Sequence, residues 1–122
     1  MDLRVLIVDD MATMRRILRG TLEQLGFSNI DEAEGGTFAL PMIQQGSYEL
    51  LITDWNMPDM AGIDLVKAVR AEEKYNDMPI VMVTAEAKKE QVVEAVKAGV
   101  NGYVIKPFTP AGLKEKLDKV LH

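Results

Sequence analysis

The sequence predicts an α/β fold, a doubly wound parallel sheet of five strands with helices on both faces, and two observations carry that prediction. Short runs of apolar and β-branched residues alternate with stretches of helical spacing, five of each, along 122 residues. A parallel crossover requires a helix, so this alternation builds a parallel sheet covered on both sides. The runs VLIV (5–8), LLIT (50–53) and IVMV (80–83) hold almost no polar side chain, as strands buried on both faces should.

The elements follow in order. The first strand is read at Arg4 to Val8, and the first helix on the stripe Met14, Ile17, Leu18, Leu22 and Leu25, closing before Gly26. Asn29 to Ala33 alternates and carries charge, which fits an edge strand. The second helix spans Phe38 to Ile43 before Gly46; Pro41 inside it removes a backbone donor and is expected to kink or shorten it. Leu50 to Thr53 is the third strand, and Ile63, Leu65, Val66 and Val69 mark the third helix. Ile80 to Thr84 is the fourth strand, followed by a helix on Val92, Val93 and Val96 before Gly99. Tyr103 to Ile105 closes the sheet, and Leu113, Leu117, Val120 and Leu121 form the last helix, which Gly112 weakens. Gly26, Gly46 and Gly99 are expected to end their helices in the left-handed conformation that costs glycine little.

Composition narrows the function. With 48% hydrophobic residues the chain is one domain's worth of material, read as a single domain over 1–122. A net charge of −5 opposes nucleic acid and anionic membrane surfaces as partners. There is no cysteine, and the single histidine is the terminal His122, which excludes thiolate chemistry and Ser-His-Asp catalysis. The apolar runs are far too short for a membrane span and no signal-peptide pattern opens the chain, so the expected location is the cytoplasm. The eight methionines, among them Met57, Met60, Met78 and Met82, read as adaptable packing.

The informative feature is what ends each apolar strand. The first ends in Asp9-Asp10, the third in Asp54, the fourth in Thr84 and the fifth in Lys106. Each alone has an ordinary explanation: Asp10 as a helix cap, Asp54 as a turn residue, Thr84 as a strand residue, Lys106 as a solvated strand end. Independent surface residues, however, have no reason to mark the same edge of four strands, the edge where open parallel sheets hold ligands. Clustered carboxylates repel one another, so either one holds a proton or a hard cation sits among them. Mg²⁺ suits oxygen donors of this kind and leaves a carboxylate such as Asp54 able to attack phosphorus, with Thr84 donating a hydrogen bond and Lys106 supplying positive charge.

These residues, with VDD at 8–10, DWNMPDMAG at 54–62, VTAEAKKE at 83–90 and GYVIKPFT at 102–109, resemble the receiver domain of two-component response regulators over essentially the whole chain. Within that family the similarity is to single-domain chemotaxis regulators. The resemblance implies a flavodoxin-like (βα)5 three-layer sandwich with strand order 2-1-3-4-5. It implies Asp54 as acceptor of a phosphoryl group from a histidine kinase. Asp10, Asp54 and the Asn56 carbonyl would bind Mg²⁺, Asp9 would support it through water, and Thr84 and Lys106 would hold the phosphoryl oxygens. A cis Lys106-Pro107 bond and hydrolysis tuned by Asn56 and Glu86 are implied as well. Activation would move Thr84 toward the phosphoryl group and turn Tyr103 inward. That reshapes an output face of Ala85, Lys89, Val92, Tyr103 and Lys116 for a flagellar motor switch protein. A dedicated phosphatase is a further implied partner, the protein itself being a monomeric switch and not a metabolic enzyme.

The chain departs from the family pattern at Ala61, where an acidic residue is common, and at Ala12, where a capping hydroxyl is usual. Other readings remain open beside this one. A phosphate sink or phosphorelay shuttle would use the same site without a motor. A magnesium phosphatase of the haloacid-dehalogenase type needs a DxD motif and a lid, and a flavodoxin-like electron carrier needs a phosphate loop that Asp9-Asp10 would repel.

Overall fold

The computed structural model describes residues 3–121, so His122 lies outside the described residues. Five strands alternate with five helices: β1 (Arg4–Val8), α1 (Ala12–Gln24), β2 (Asn29–Ala33), α2 (Gly36–Gln45), β3 (Leu50–Thr53), α3 (Gly62–Arg70), β4 (Ile80–Thr84), α4 (Lys89–Ala98), β5 (Gly102–Ile105) and α5 (Pro110–Leu121). A single 3-10 turn, Glu73–Tyr75, lies between α3 and β4. The strands form one parallel sheet in the order β2-β1-β3-β4-β5, as expected.

Period-two alternation sorts the central strands between two apolar layers. Leu6 and Val8 of β1, Leu51 of β3, and Ile80 and Met82 of β4 face one layer, completed by Ala39 and Ile43 of α2, Val66 of α3 and Ala95 of α4. Val5, Ile7, Leu50, Ile52, Val81 and Val83 face the other, against Leu18 and Leu22 of α1 and Leu113 and Leu117 of α5. Every residue of β3 and β4 is buried, whereas β2 opens on the exposed Asn29, as an edge strand should. Truncating a fully buried side chain such as Leu51 to alanine would cost about 3 kcal/mol. Met57, Met78 and Met82 are buried and Met60 packs beside them, in agreement with the packing role read from the sequence.

Three local expectations are corrected. Helix α2 runs through Pro41 to Gln45; Pro41 is exposed, on the face where water can serve the carbonyl that proline leaves without a donor. Gly26 and Gly99 do adopt positive φ (101° and 115°), but Gly46 is extended at φ −100°, and its value is space: a Cβ there would meet the Met42 carbonyl and the Tyr48 ring. Val93 and Val96 stand 41% and 60% exposed, because the residue that α4 buries is Ala95, and Ile17 of α1 is likewise outside the core. The hydroxyl of Thr109 accepts the Gly112 N–H at 2.9 Å, a cap at the start of α5.

Candidate functional site

Strand register brings distant residues to one edge of the sheet. Val8 pairs with Thr53 and Thr84 with Ile105, so the residues just beyond these strands emerge side by side. Backbone bonds fix them: the Asp54 N–H donates to Val8 O at 3.0 Å, Asp9 N–H to Ala33 O at 3.2 Å and Lys106 N–H to Thr84 O at 2.8 Å. The Lys106-Pro107 peptide is cis, as the resemblance implied.

The side chains converge. Lys106 Nζ lies 2.9 Å from Asp9 Oδ2 and 3.1 Å from Asp54 Oδ2. Asp9 is 0% exposed and Asp54 8%, while Asp10 is open to solvent. One oxygen from each of the three aspartates falls within 4.8 Å of the others. Three carboxylates against one ammonium leave two negative charges without a counter-charge, in a pocket open on the Asp10 side. An all-oxygen donor set of this charge fits a hard divalent cation such as Mg²⁺. The ammonium itself reports the field: burial pulls the Lys106 pKa down, but the Asp9 hydrogen bond and the charges of Asp54 and Asp9 outweigh it and hold the group above its ordinary 10.5.

Asp9 has both oxygens engaged, Oδ2 by Lys106 and Oδ1 by the Met11 N–H at 2.9 Å. The capping explanation weighed for Asp10 is corrected, because the N-cap of α1 is Met11 with no side-chain cap; Asp9 fastens the Met11 N–H ahead of the helix and Asp10 is the aspartate left open. Arg15 donates to the Asp9 carbonyl at 2.6 Å, and its other arm pairs with Glu32. Asp54 Oδ1 accepts the Trp55 N–H at 2.6 Å, and half-buried Trp55 packs on the core beside it. The loop that follows is closed by the Gly62 N–H donating to Trp55 O at 2.6 Å, and a Cβ on Gly62 would overlap the Asp54 carbonyl. Only glycine permits that approach.

Around the mouth stand the remaining candidates. Thr84 is fully buried, and its hydroxyl accepts the Glu86 N–H at 3.2 Å. Asn56 Nδ2 donates to Glu86 Oε1 at 2.6 Å, and Gln91 Nε2 to Glu86 Oε2 at 2.9 Å; these bonds hold the Glu86 carboxyl below its usual range. Tyr103 is half-buried with its hydroxyl donating to the Glu86 carbonyl at 2.7 Å, and burial, helped by the charges of Glu86 and Asp54, raises its pKa. Ala85 follows β4 and is exposed, Lys89 is the exposed first residue of α4, Val92 is half-buried one turn on, and Lys116 is exposed on α5.

Thus Asp9, Asp10, Asp54 and Lys106 form one cluster, and Thr84, Asn56, Glu86 and Tyr103 form a connected rim linked to it through Asp54 and β5. Gln91 was not singled out in the sequence, although a glutamine at the third position of a helix is the half of a capping box that survives here: its Oε1 accepts the Lys88 N–H at 3.3 Å. No helix among the described residues is long and apolar enough to cross a membrane.

Comparison with known proteins gives the family. The family model for the response regulator receiver domain matches residues 5–118. The chain is 58% identical over 118 residues to chemotaxis protein CheY of Pseudomonas aeruginosa, covering 97% of this chain and 95% of that protein. It is 56% identical over 119 residues to chemotaxis protein CheY-3 of Vibrio cholerae serotype O1, covering 98% and 92%. The solved structure of CheY4 of Vibrio cholerae superposes with a TM-score of 0.90 at 36% identity, covering 98% of this chain and 99% of that one. A pocket of three aspartates, two of them bridged by a lysine, on a sheet of this order and with this sequence similarity, places the chain in the family of response regulator receiver domains.

Proposed function

We propose that the chain is a single-domain chemotaxis response regulator, one receiver domain over residues 1–122, that accepts a phosphoryl group on Asp54 from a chemotaxis histidine kinase and, once phosphorylated, binds a flagellar motor switch protein. The observation that carries this reading is the under-neutralised acidic pocket, in which Lys106 bridges buried Asp9 to Asp54 at 2.9 and 3.1 Å.

The transfer forms an Oδ–P bond on Asp54 and breaks the P–N bond of the phosphohistidine, whose nitrogen leaves with the electron pair. Asp10, Asp54 and the Asn56 carbonyl would hold Mg²⁺ directly, with Asp9 behind them through water. When bound, the ion offsets negative charge on the transferring group. Lys106 supplies a point charge to one phosphoryl oxygen and the Thr84 hydroxyl a hydrogen bond to another. Asn56 and Glu86, bonded across the mouth, govern the access of the water that later hydrolyses the acyl phosphate.

The output follows from connectivity. Thr84, Glu86 and Tyr103 form one chain of hydrogen bonds from the pocket to α4 and β5. Movement of Thr84 toward a phosphoryl group would therefore be felt at Tyr103, and with it at Ala85, Lys89, Val92 and Lys116. Exposed Val96 and Ile105 give that face apolar area for a partner to cover. A dedicated phosphatase completes the partners, and the protein works as a monomer in the cytoplasm.

Trp55 beside the acceptor supplies the test. Mg²⁺ should quench its fluorescence, and acetyl phosphate should add a second change with a gain in mass; Asp54→Asn should lose the second response. An unchanged wild-type signal without mass gain would refute the reading. Motor binding is read separately, by pull-down of a switch-protein peptide that strengthens on activation and weakens in Lys89→Glu.

A further inference from the structure

Helix α2 begins without a cap of its own. Its N-cap position is Gly35, which has no side chain to offer, and no acidic residue lies in its first turn. The orphan donors of a helix start need partners, and here one comes from another element. Asp59, in the loop joining β3 to α3, accepts the Thr37 N–H at 3.0 Å and the Thr37 hydroxyl at 2.5 Å, both through Oδ2. Its Oδ1 accepts the Met60 N–H at 2.8 Å, so the same carboxylate is fixed to its own loop.

The glycines of α2 make room for this arrangement. A Cβ on Gly35 would collide with the Asp59 carboxylate, and one on Gly36 would come within 2.7 Å of the Met60 sulfur. Gly35 has φ −179° and ψ 173°, extended backbone that any residue adopts, so space and not conformation calls for glycine there. The loop that carries Asp59 also carries Asn56 and starts at Asp54. It is closed at its neck by the Gly62-to-Trp55 bond, and its outer turn is pinned by Asp59.

We infer that Asp59 is a positioning residue: by capping α2 across space it holds the β3–α3 loop in the shape that presents the Asn56 carbonyl and the Asp54 carboxylate to a cation. The inference rests on the receiver reading above and deepens it. It assigns to a side chain outside the acidic pocket a share in Mg²⁺ affinity and none in the phosphoryl transfer itself.

The experiment uses the full chain and three variants, Asp59→Ala, Thr37→Val and Gly35→Ala. The last two keep every carboxylate, and Gly35→Ala evicts Asp59 from the helix start without altering it. Three readouts are needed: amide hydrogen exchange at residue 37 without metal, the Mg²⁺ half-saturation by Trp55 fluorescence, and the maximal rate of phosphorylation by acetyl phosphate at saturating Mg²⁺. Asp59→Ala and Gly35→Ala should lose protection at residue 37 and raise the Mg²⁺ half-saturation by about fivefold, the ordinary worth of a helix cap. Thr37→Val, which keeps the amide bond and loses only the hydroxyl bond, should move both readouts the same way by less. All three maximal rates should stay within about twofold of wild type, the mark of an interaction that sets binding and not the chemical step.

Three results overturn the inference. If Asp59→Ala alone weakens Mg²⁺, the effect is that of a lost negative charge. If maximal rate falls while half-saturation holds, Asp59 does not act through the cation ligands. If the residue 37 amide of wild type exchanges freely, there is no tether. A wild type that ignores Mg²⁺ removes the receiver reading and the positioning role together, yet leaves protection at residue 37 intact, so the two failures are told apart.

Discussion

The two ends of the sheet each gather charged side chains, and the contrast between them separates a poised site from a finished one. At the carboxyl end, three aspartates share a single ammonium. At the amino end, one aspartate has more partners than it needs: Asp31 Oδ2 accepts Tyr48 Oη–H at 2.6 Å and lies 3.2 Å from Arg4 NH2, whose guanidinium stacks 4.5 Å from the Tyr48 ring centroid. Asp31 and Arg4 offset each other's charge as a pair. The Tyr48 hydrogen bond, and after it Arg4, hold the Asp31 carboxyl below its ordinary 3.8 against the opposing effect of burial. Burial and the bond to Asp31 push Tyr48 up to about 12. A cluster whose members satisfy one another gains little from a ligand, whereas buried charge left unbalanced costs stability that a bound cation returns.

The sharpest way to break the comparison is to remove one carboxylate from each end. Asp54→Asn should abolish the mass gain with acetyl phosphate altogether, and Asp31→Asn should leave its rate within about twofold of wild type, since that carboxylate touches no reacting atom. A phosphorylation defect in Asp31→Asn would mean that the two ends are coupled.

Removing one cation from each end comes next. Lys106→Met strands buried Asp9 beside Asp54 and should cost about 3 kcal/mol by urea denaturation. Mg²⁺ should return much of that loss, because a ligand that binds only the folded state stabilises it by mass action. Arg4→Met breaks a pair whose side chains are 37% and 42% exposed, so it should cost at most about 1 kcal/mol, and Mg²⁺ should restore none of it. Equal losses would erase the distinction.

How much of this was legible in the sequence depended on how local the cause was. VLIV, LLIT and IVMV announced the buried strands because parallel strands covered on both faces tolerate little else, and Asp9, Asp10, Asp54 and Lys106 were readable as one site because all stand at the same end of such strands. Positions decided by neighbours distant in sequence were not readable. Gly46 looked like a left-handed helix end but is extended and crowded by Tyr48. Val96 continued a helical stripe that the core never meets, since Ala95 is what α4 buries. The cap of α2 sits 22 residues from the hydroxyl that it binds, beyond any local pattern. Pro41 carried a local rule that solvent on the outer face of α2 made harmless.

The finest test is alkaline titration, because each end holds groups whose acid form the fold favours: Lys106 and Tyr103 at the carboxyl end and Tyr48 at the amino end. A pKa raised by folding means that the folded state binds the proton more tightly. The stability it brings is therefore complete below the unfolded value and drains away as pH rises through the folded one. For Lys106 that window opens above 10.5, and for Tyr48 it runs from 10.0 to about 12. Stability should thus hold level on approach to pH 10 and then decline through the contributions of Lys106, Tyr103 and Tyr48. Tyr48→Phe should cost about 1 kcal/mol at neutral pH through the lost hydrogen bond to Asp31. It should also remove Tyr48's share of the decline that tracks phenolate absorbance, leaving the Tyr103 and Lys106 parts in place. Mg²⁺ divides the two ends again: held by the aspartates that now keep the Lys106 proton, it should advance the lysine's share of the decline toward lower pH while Tyr48's share stays where it was. A decline that Tyr48→Phe leaves unchanged would show that the amino end is not the closed, self-satisfied cluster its geometry describes.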